Sequence, residues 1–298
     1  MIDTPKMIAI DMDGTLVHPG GTVSPGNQDA LDRARRAGAR IVIATGRRHS
    51  YAMKVLQTGN FQPDDIVLSS NGAVARTMDG RLLFREAMST ETALWLCEMV
   101  NDYRNCFVFT FDTMDAHGNE AGGALVLEEV DDLHASIEKW MVANAADIRR
   151  FTPIESAFQA AEFPAIQAML CGGMERMETA FRHLDAAHEG RLSLTRTVYP
   201  LRDLCILDVL PQGCSKGAGL AHLLREEGLT ASDLMAIGDN WNDLTMLEQA
   251  RWPMLMGNAP DDLRLLAEER NWTVTRHHHE DGVAEAIALC FADENASR

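Results

Sequence analysis

Asp11-Met12-Asp13-Gly14-Thr15 places two carboxylates one residue apart at the end of the apolar run that starts at Met7. Acids with this spacing leave a strand on the same side and enter the crevice at its carboxyl end, where open α/β sheets bind ligands. At about 4 Å and an effective dielectric near 20, two such charges repel by roughly 4 kcal/mol, so a positive partner or a proton must accompany them. Thr45-Gly46-Arg47 follows the next apolar run and offers a hydroxyl and backbone N–H groups to an anion. Lys216 opens a helical stretch after Pro211-Gln-Gly-Cys-Ser215; a cation there opposes the helix dipole, so its position implies an anionic partner. In Gly238-Asp239-Asn240-Trp241-Asn242-Asp243, Asp239 falls at a strand end, with Asn242 and Asp243 one turn further. Together with Asp11 and Asp13 these acids form a hard oxygen cluster suited to Mg²⁺. Each segment alone has a plainer reading: a charged turn, a strand end, a solvated lysine, a helix-capping Asp239. Together they describe an anion and a divalent cation held side by side.

The elements that must position these groups follow from the apolar pattern. Met7 to Asp11, Arg40 to Ala44 and Ile66 to Ser69 read as strands, separated by helices from Ser24-Pro25 to Ala37 and from His49 to Gln57. This spacing predicts parallel βαβ units with both sheet faces covered. The same grammar returns with a helix at Lys216–Glu227, a strand at Leu234–Ile237 and a helix at Asp261–Glu269. The middle differs. A helix is expected over Ser89–Asn105, then a half-exposed strand at Phe107–Phe111 with period-two alternation. Further strands are expected near 124–127, 165–170, 192–198 and 204–210, and helices near 131–142 and 174–187. The predicted fold is α/β: a doubly wound, mainly parallel, Rossmann-like core sheet over 1–84 and 209–298, with an α+β insert at 85–208.

D-x-D-G-T, T-G-R, a later Lys and G-D-x-x-N-D, in this order, resemble the haloacid dehalogenase superfamily of phosphatases. The insert position, Ser70-Asn71-Gly-Ala73 and Asp281-Gly-Val-Ala284 look like its Cof-like branch. The resemblance spans both halves of the core. It implies Asp11 as a nucleophile that takes the phosphoryl group, and Asp13 as the acid that protonates the leaving oxygen and then activates water. It further implies phosphate binding by Thr45, Gly46, Lys216, Asn242 and Asn71. Mg²⁺ would be held by Asp11, the Asp13 carbonyl, Asp239 and, in support, Asp243. The insert becomes a mobile cap that closes over the crevice and reads the leaving group, with Arg191, Arg196 and Arg202 as candidate contacts. Trp241 and the run His277-His278-His279 depart from the common pattern; three consecutive histidines on an extended chain cannot all face one ion.

Composition narrows the partners. With 27 Lys+Arg against 44 Asp+Glu the 298-residue chain carries −17, which opposes binding to nucleic acid or anionic lipid. No apolar stretch has membrane-spanning length, no leader or lipidation signal is legible, and the six cysteines form no C-x-x-C pair, so a reducing cytoplasm is expected. The insert holds 10 Lys+Arg and 21 Asp+Glu, a net −11. The resemblance implies a small phosphorylated metabolite, such as a sugar phosphate, as substrate, and the acidic insert favours one with few further negative charges; oligomeric state is not legible. Three other functions compete. The same covalent aspartate could serve a phosphotransferase or mutase. Gly213-Cys-Ser215-Lys-Gly217 matches the G-x-S-x-G of serine hydrolases, although Pro211-Gln212 interrupts the required sharp turn. A non-catalytic phosphometabolite sensor would not need Asp13.

Overall fold

The computed structural model describes residues 4–115, 117–128, 138–159 and 162–291. The chain divides into two compact units: Met1–Gly72, Arg76–Asp79 and Lys216–Arg298 form one, Ala73–Ala75 and Gly80–Ser215 the other.

The first unit opens with β1 (Met7–Asp11), α1 (Pro25–Arg36), β2 (Arg40–Ala44), α2 (His49–Leu56) and β3 (Ile66–Ser69). Ser24 caps α1 by accepting the Asn27 N–H at 3.0 Å, and Pro25 takes the first helical position, where no hydrogen bond is lost. β4 (Val74–Thr77) and β5 (Leu82–Arg85) follow where the chain passes between units.

The second unit contains α3 (Thr90–Met99), β6 (Phe107–Phe111), β7 (Leu125–Leu127), α4 (Glu138–Ala143), β8 (Ile148–Arg150), α5 (Ser156–Gln159), β9 (Ala165–Gly172), α6 (Met174–Ala187), β10 (Leu192–Tyr199) and β11 (Leu204–Pro211). Its sheet runs β10-β11-β9-β6-β7-β8. Pairing is antiparallel except between β7 and β8. Two expectations need correction. The helix from Ser89 is α-helical only to Met99 and tightens into a 3₁₀ stretch at Asn101–Cys106. There Asn101 and Asp102 are weak helix formers, and Arg104 turns inward to Glu128 and Glu155. β6 is buried throughout, not half-exposed. Phe109 packs edge-on to Phe158 on one face at 4.9 Å, while Val108 joins Leu125 and Leu127 on the other. The start of the helix expected near 131–142 lies outside the described residues.

The chain then completes the first unit with α7 (Lys216–Glu226), β12 (Leu234–Gly238), α8 (Leu244–Gln249), β13 (Trp252–Leu255), α9 (Asp261–Arg270), β14 (Thr273–Val274) and α10 (Gly282–Cys290). Within its sheet the strands β14-β13-β12-β1-β2-β3 are neighbours in this order, each of these pairs parallel. Ile8, Ile10, Ile41, Ile43 and Val67 share a core with residues of α1, α2 and α10. On the opposite face Leu68 meets α7 at Gly219. Helices thus cover both faces, the doubly wound arrangement. Strand order reverses between β1 and β12, so the crevice opens above their carboxyl ends.

Candidate active site

Asp11 ends β1 and is 5% exposed. Its Oδ1 accepts a hydrogen bond from Lys216 Nζ at 2.5 Å, and the same ammonium donates to Asp243 Oδ1 at 2.6 Å. Lys216 is fully buried, so it is no solvated surface lysine. Its third N–H remains available to an anion. Among the described residues, no hydrogen bond to Asp11 Oδ2 occurs.

β12 delivers Asp239 beside this pair. Gly14, at φ 83°, lets the loop after β1 pass close to it: a Cβ there would lie 2.4 Å from Asp239 Oδ2. Thr15 Oγ1 donates to Asp239 Oδ1 at 3.0 Å. Asp243 Oδ2 accepts the N–H groups of Asp239 and Asn240 at 2.9 and 3.0 Å, which fixes the turn after β12. Asp11, Asp239 and Asp243 each bring a carboxylate oxygen within 4.8 Å of the others, the only such group among the described residues. Three buried carboxylates against one ammonium leave two negative charges uncompensated when all are ionised. That donor set fits a hard divalent cation.

The titration behaviour says the same. Burial pushes the Asp11 carboxyl up to about 7, Asp243 adding repulsion and Lys216 opposing it. Burial, then the charges of Asp11 and Asp243, hold Asp239 well above the usual carboxylate range. Burial works against the Lys216 ammonium, but Asp11 and Asp243 outweigh it and raise its proton affinity. An acid whose folded-state value is raised keeps its proton in the folded chain after the unfolded chain has lost it. Stability without a cation therefore falls as pH rises from about 4 through about 7. With EDTA, the melting temperature is expected to drop between about pH 5 and about pH 8. Saturating Mg²⁺ should recover about 5 °C at the upper end and little at the lower. A Mg²⁺ effect independent of pH, read by calorimetry, would contradict this electrostatic account.

The residues expected to bind an anion sit alongside. Thr45 is buried, and its Oγ1 accepts the Arg47 N–H at 3.1 Å, leaving its own O–H to donate. Ser70 and Asn71 both adopt left-handed φ, 49° and 51°, strain of the kind that clusters at functional sites. Asn242 Nδ2 donates to Asn71 Oδ1 at 3.1 Å. A Cβ on Gly46 would come 3.1 Å from Asn71 Nδ2, which brings Thr45-Gly46, Asn71 and Asn242 together. The Asp13 carboxylate stands apart from the acid cluster. Arg47 grips it through Nε at 2.7 Å and Nη2 at 2.5 Å, and its guanidinium lies 4.7 Å from the Tyr51 ring.

Sequence reasoning missed three contributors: Thr15, the Arg47 side chain and Asn258. Asn258 was within reach, because it follows β13, the strand beside β12, at the same sheet edge. Elsewhere, Arg196 is committed to Glu178 and to the Phe181 ring, while Arg191 and Arg202 lie over Trp95 and Tyr199. Of the three consecutive histidines, His278 and His279 lie in a 3₁₀ turn over His278–Glu280 that His277 precedes, and His277 and His279 are exposed. They belong to no group of three ligand atoms within 4.8 Å among the described residues. Among those residues no helix is long and apolar enough to cross a membrane.

The profile of a family described as haloacid dehalogenase-like hydrolase matches residues 8–287. The 5-amino-6-(5-phospho-D-ribitylamino)uracil phosphatase YwtE of Bacillus subtilis is 29% identical, the match covering 98% of this chain and all of the relative. Pyridoxal phosphate phosphatase YbhA of Escherichia coli is 28% identical over 89% of this chain and 92% of its own. A solved haloacid dehalogenase-like hydrolase from B. subtilis shares the fold with a TM-score of 0.76 at 24% identity, over 95% of this chain and 98% of that one. With the matched profile running from β1 into α10 and four motif segments meeting at one sheet edge, the chain is an enzyme and belongs to the haloacid dehalogenase-like hydrolases.

Proposed function

We propose that this enzyme hydrolyses phosphate monoesters of small metabolites, with Mg²⁺ in the crevice, through an aspartyl-phosphate on Asp11. The observation that carries the reading is the state of Asp11: buried, one oxygen engaged by Lys216, and the other without a hydrogen-bond partner among the described residues. In the first step Asp11 Oδ2 attacks phosphorus and the P–O ester bond breaks. The departing oxygen takes a proton from Asp13, releasing the alcohol. In the second step Asp13, now a carboxylate, removes a proton from water, and that oxygen attacks phosphorus. The Asp11–phosphoryl bond breaks, inorganic phosphate leaves and both acids are restored. Lys216, Thr45, the Gly46 N–H, Asn71 and Asn242 hold the non-bridging oxygens throughout, which is most of what phosphoryl transfer asks of a protein. Asp11, Asp239, Asp243 and the Asp13 carbonyl would hold Mg²⁺, which supplies positive charge to the phosphoryl oxygens.

For substrate we propose a simple monophosphate of a sugar or similar metabolite. Two observations support this: the net −11 of residues 85–208, which disfavours leaving groups with extra charge, and relatives named for a phosphoribityl and a pyridoxal phosphate. The six free cysteines, five of them buried, suit a reducing cytoplasm. A panel of phosphorylated metabolites, ranked by kcat/KM with and without EDTA, tests the reading. Turnover is expected to require Mg²⁺, to favour monophosphates over bisphosphates and to survive Ser215→Ala. EDTA-resistant turnover lost in Ser215→Ala would mean a serine hydrolase. Faster transfer to an added alcohol than to water would mean a phosphotransferase.

A further inference from the structure

We propose that Asn258 is a positioning residue for the cation site, and that the main-chain N–H of His278 sets its orientation. The proposal rests on the cation reading above and extends it to residues outside the motif segments. Asn258 Nδ2 donates to two groups of that site, the Gly14 carbonyl at 2.8 Å and Asp239 Oδ2 at 3.2 Å. Its Oδ1 accepts the His278 N–H at 2.9 Å. That acceptor contact decides which way the amide points, because the opposite orientation would set two N–H donors against each other.

The consequence for Asp239 is specific. Thr15 holds Oδ1 and Asn258 holds Oδ2, so both carboxylate oxygens are oriented by neutral donors. Asp11 and Asp243, by contrast, share the charge of Lys216. Asp239 therefore shares no hydrogen bond with the Lys216 ammonium, and its rotation is blocked from both sides. Outer partners of this kind are worth about 10–100-fold in metal affinity.

The geometry also explains how the histidine turn is held. Gly257 N–H donates to the Arg276 carbonyl at 3.2 Å. A Cβ on Gly257 would stand 2.7 Å from the Thr275 carbonyl, so glycine is what lets the two segments touch. Met256 N–H in turn donates to Gly238 O at 2.9 Å, one residue before Asp239. The segment 256–258 is thus bound on one side to the end of β12 and on the other to 275–278. The role assigned to His278 belongs to its backbone, independent of its imidazole.

Mn²⁺ binding by the full-length enzyme, measured by electron paramagnetic resonance, tests this alongside the Mg²⁺ dependence of turnover. Asn258→Ala is expected to raise the Mn²⁺ Kd and the half-saturating Mg²⁺ about 10–100-fold. At saturating cation, kcat and substrate KM should stay within about threefold, since Asn258 touches neither phosphate nor nucleophile. His278 opens its turn, and His277 precedes it at φ −66° and ψ 154°, a conformation proline accepts after it. His278→Pro therefore removes the N–H with little backbone cost and should weaken Mn²⁺ several-fold, whereas His278→Ala should not. Unchanged Mn²⁺ affinity in Asn258→Ala, or a kcat loss without an affinity change, overturns the assignment. Equal effects of His278→Pro and His278→Ala overturn the backbone link. A wild-type enzyme that binds no Mn²⁺ overturns the cation reading itself and this proposal with it.

Discussion

Asp11→Asn is expected to abolish steady-state turnover, by about 10⁴–10⁶-fold in kcat, while leaving the protein folded. An amide oxygen is a poor nucleophile and cannot form the acyl phosphate, so neither proton transfer by Asp13 nor the anion-binding groups can compensate. The fold should tolerate the change, because the natural carboxylate is unfavourable where it stands: burial and Asp243 push its titration up to about 7. A neutral isostere removes that cost, and its oxygen can still accept the bond from Lys216. The metal-free variant should accordingly melt no lower than the wild-type protein above about pH 7, and its melting point should vary less with pH. Phosphate release under single-turnover conditions and thermal melts in EDTA measure the two parts. Retained turnover would remove Asp11 from the nucleophile's role.

Lys216→Met should cost stability as well as turnover. The ammonium is fully buried and bonded to Asp11 and Asp243, themselves 5% and 0% exposed. Removing it leaves two carboxylates facing each other without a counter-charge, a change that costs about 3–5 kcal/mol. Urea unfolding in EDTA measures it. Adding Asp243→Asn to Lys216→Met should return part of the loss, since one of the stranded charges disappears, whereas independent sites would simply add. A loss below about 1 kcal/mol would show that water or a proton already compensates the pair.

Much of this site was legible because each motif occupies the same kind of position. Asp11, Thr45 and Asp239 all stand at or just beyond the ends of parallel strands, and apolar runs of four or five residues mark such ends clearly. The doubly wound core was legible for the same reason. What stayed hidden depends on distance across the chain. Thr-Gly-Arg announces an anion site but not that the Arg47 side chain folds back onto Asp13, a contact between residues 34 apart. Lys216 at a helix start implies an anionic partner, but not that the partners are Asp11, 205 residues away, and Asp243, nor that it is fully enclosed. Short strands escaped as well: β14 is two exposed residues, and β13 begins Trp-Pro, with no alternation to read. In the second unit, β6 carried a period-two pattern that normally marks one wet face, yet aromatic and aliphatic neighbours cover both sides.

The contacts that assemble the reactive centre also date it within the life of the polypeptide. Asp11 meets Lys216 across 205 residues, Thr15 meets Asp239 across 224, and Gly14 meets Asn258 across 244. At ribosomal speeds of about 5–20 residues per second, this is an interval of about 10–50 s between making Asp11 and making its partners. Gly80–Ser215, by contrast, is one uninterrupted stretch with contacts of its own, so it can organise before Lys216 is added. Asp11 and Thr15 therefore lack these partners for most of the chain's synthesis. The site is complete only once β12 has paired beside β1.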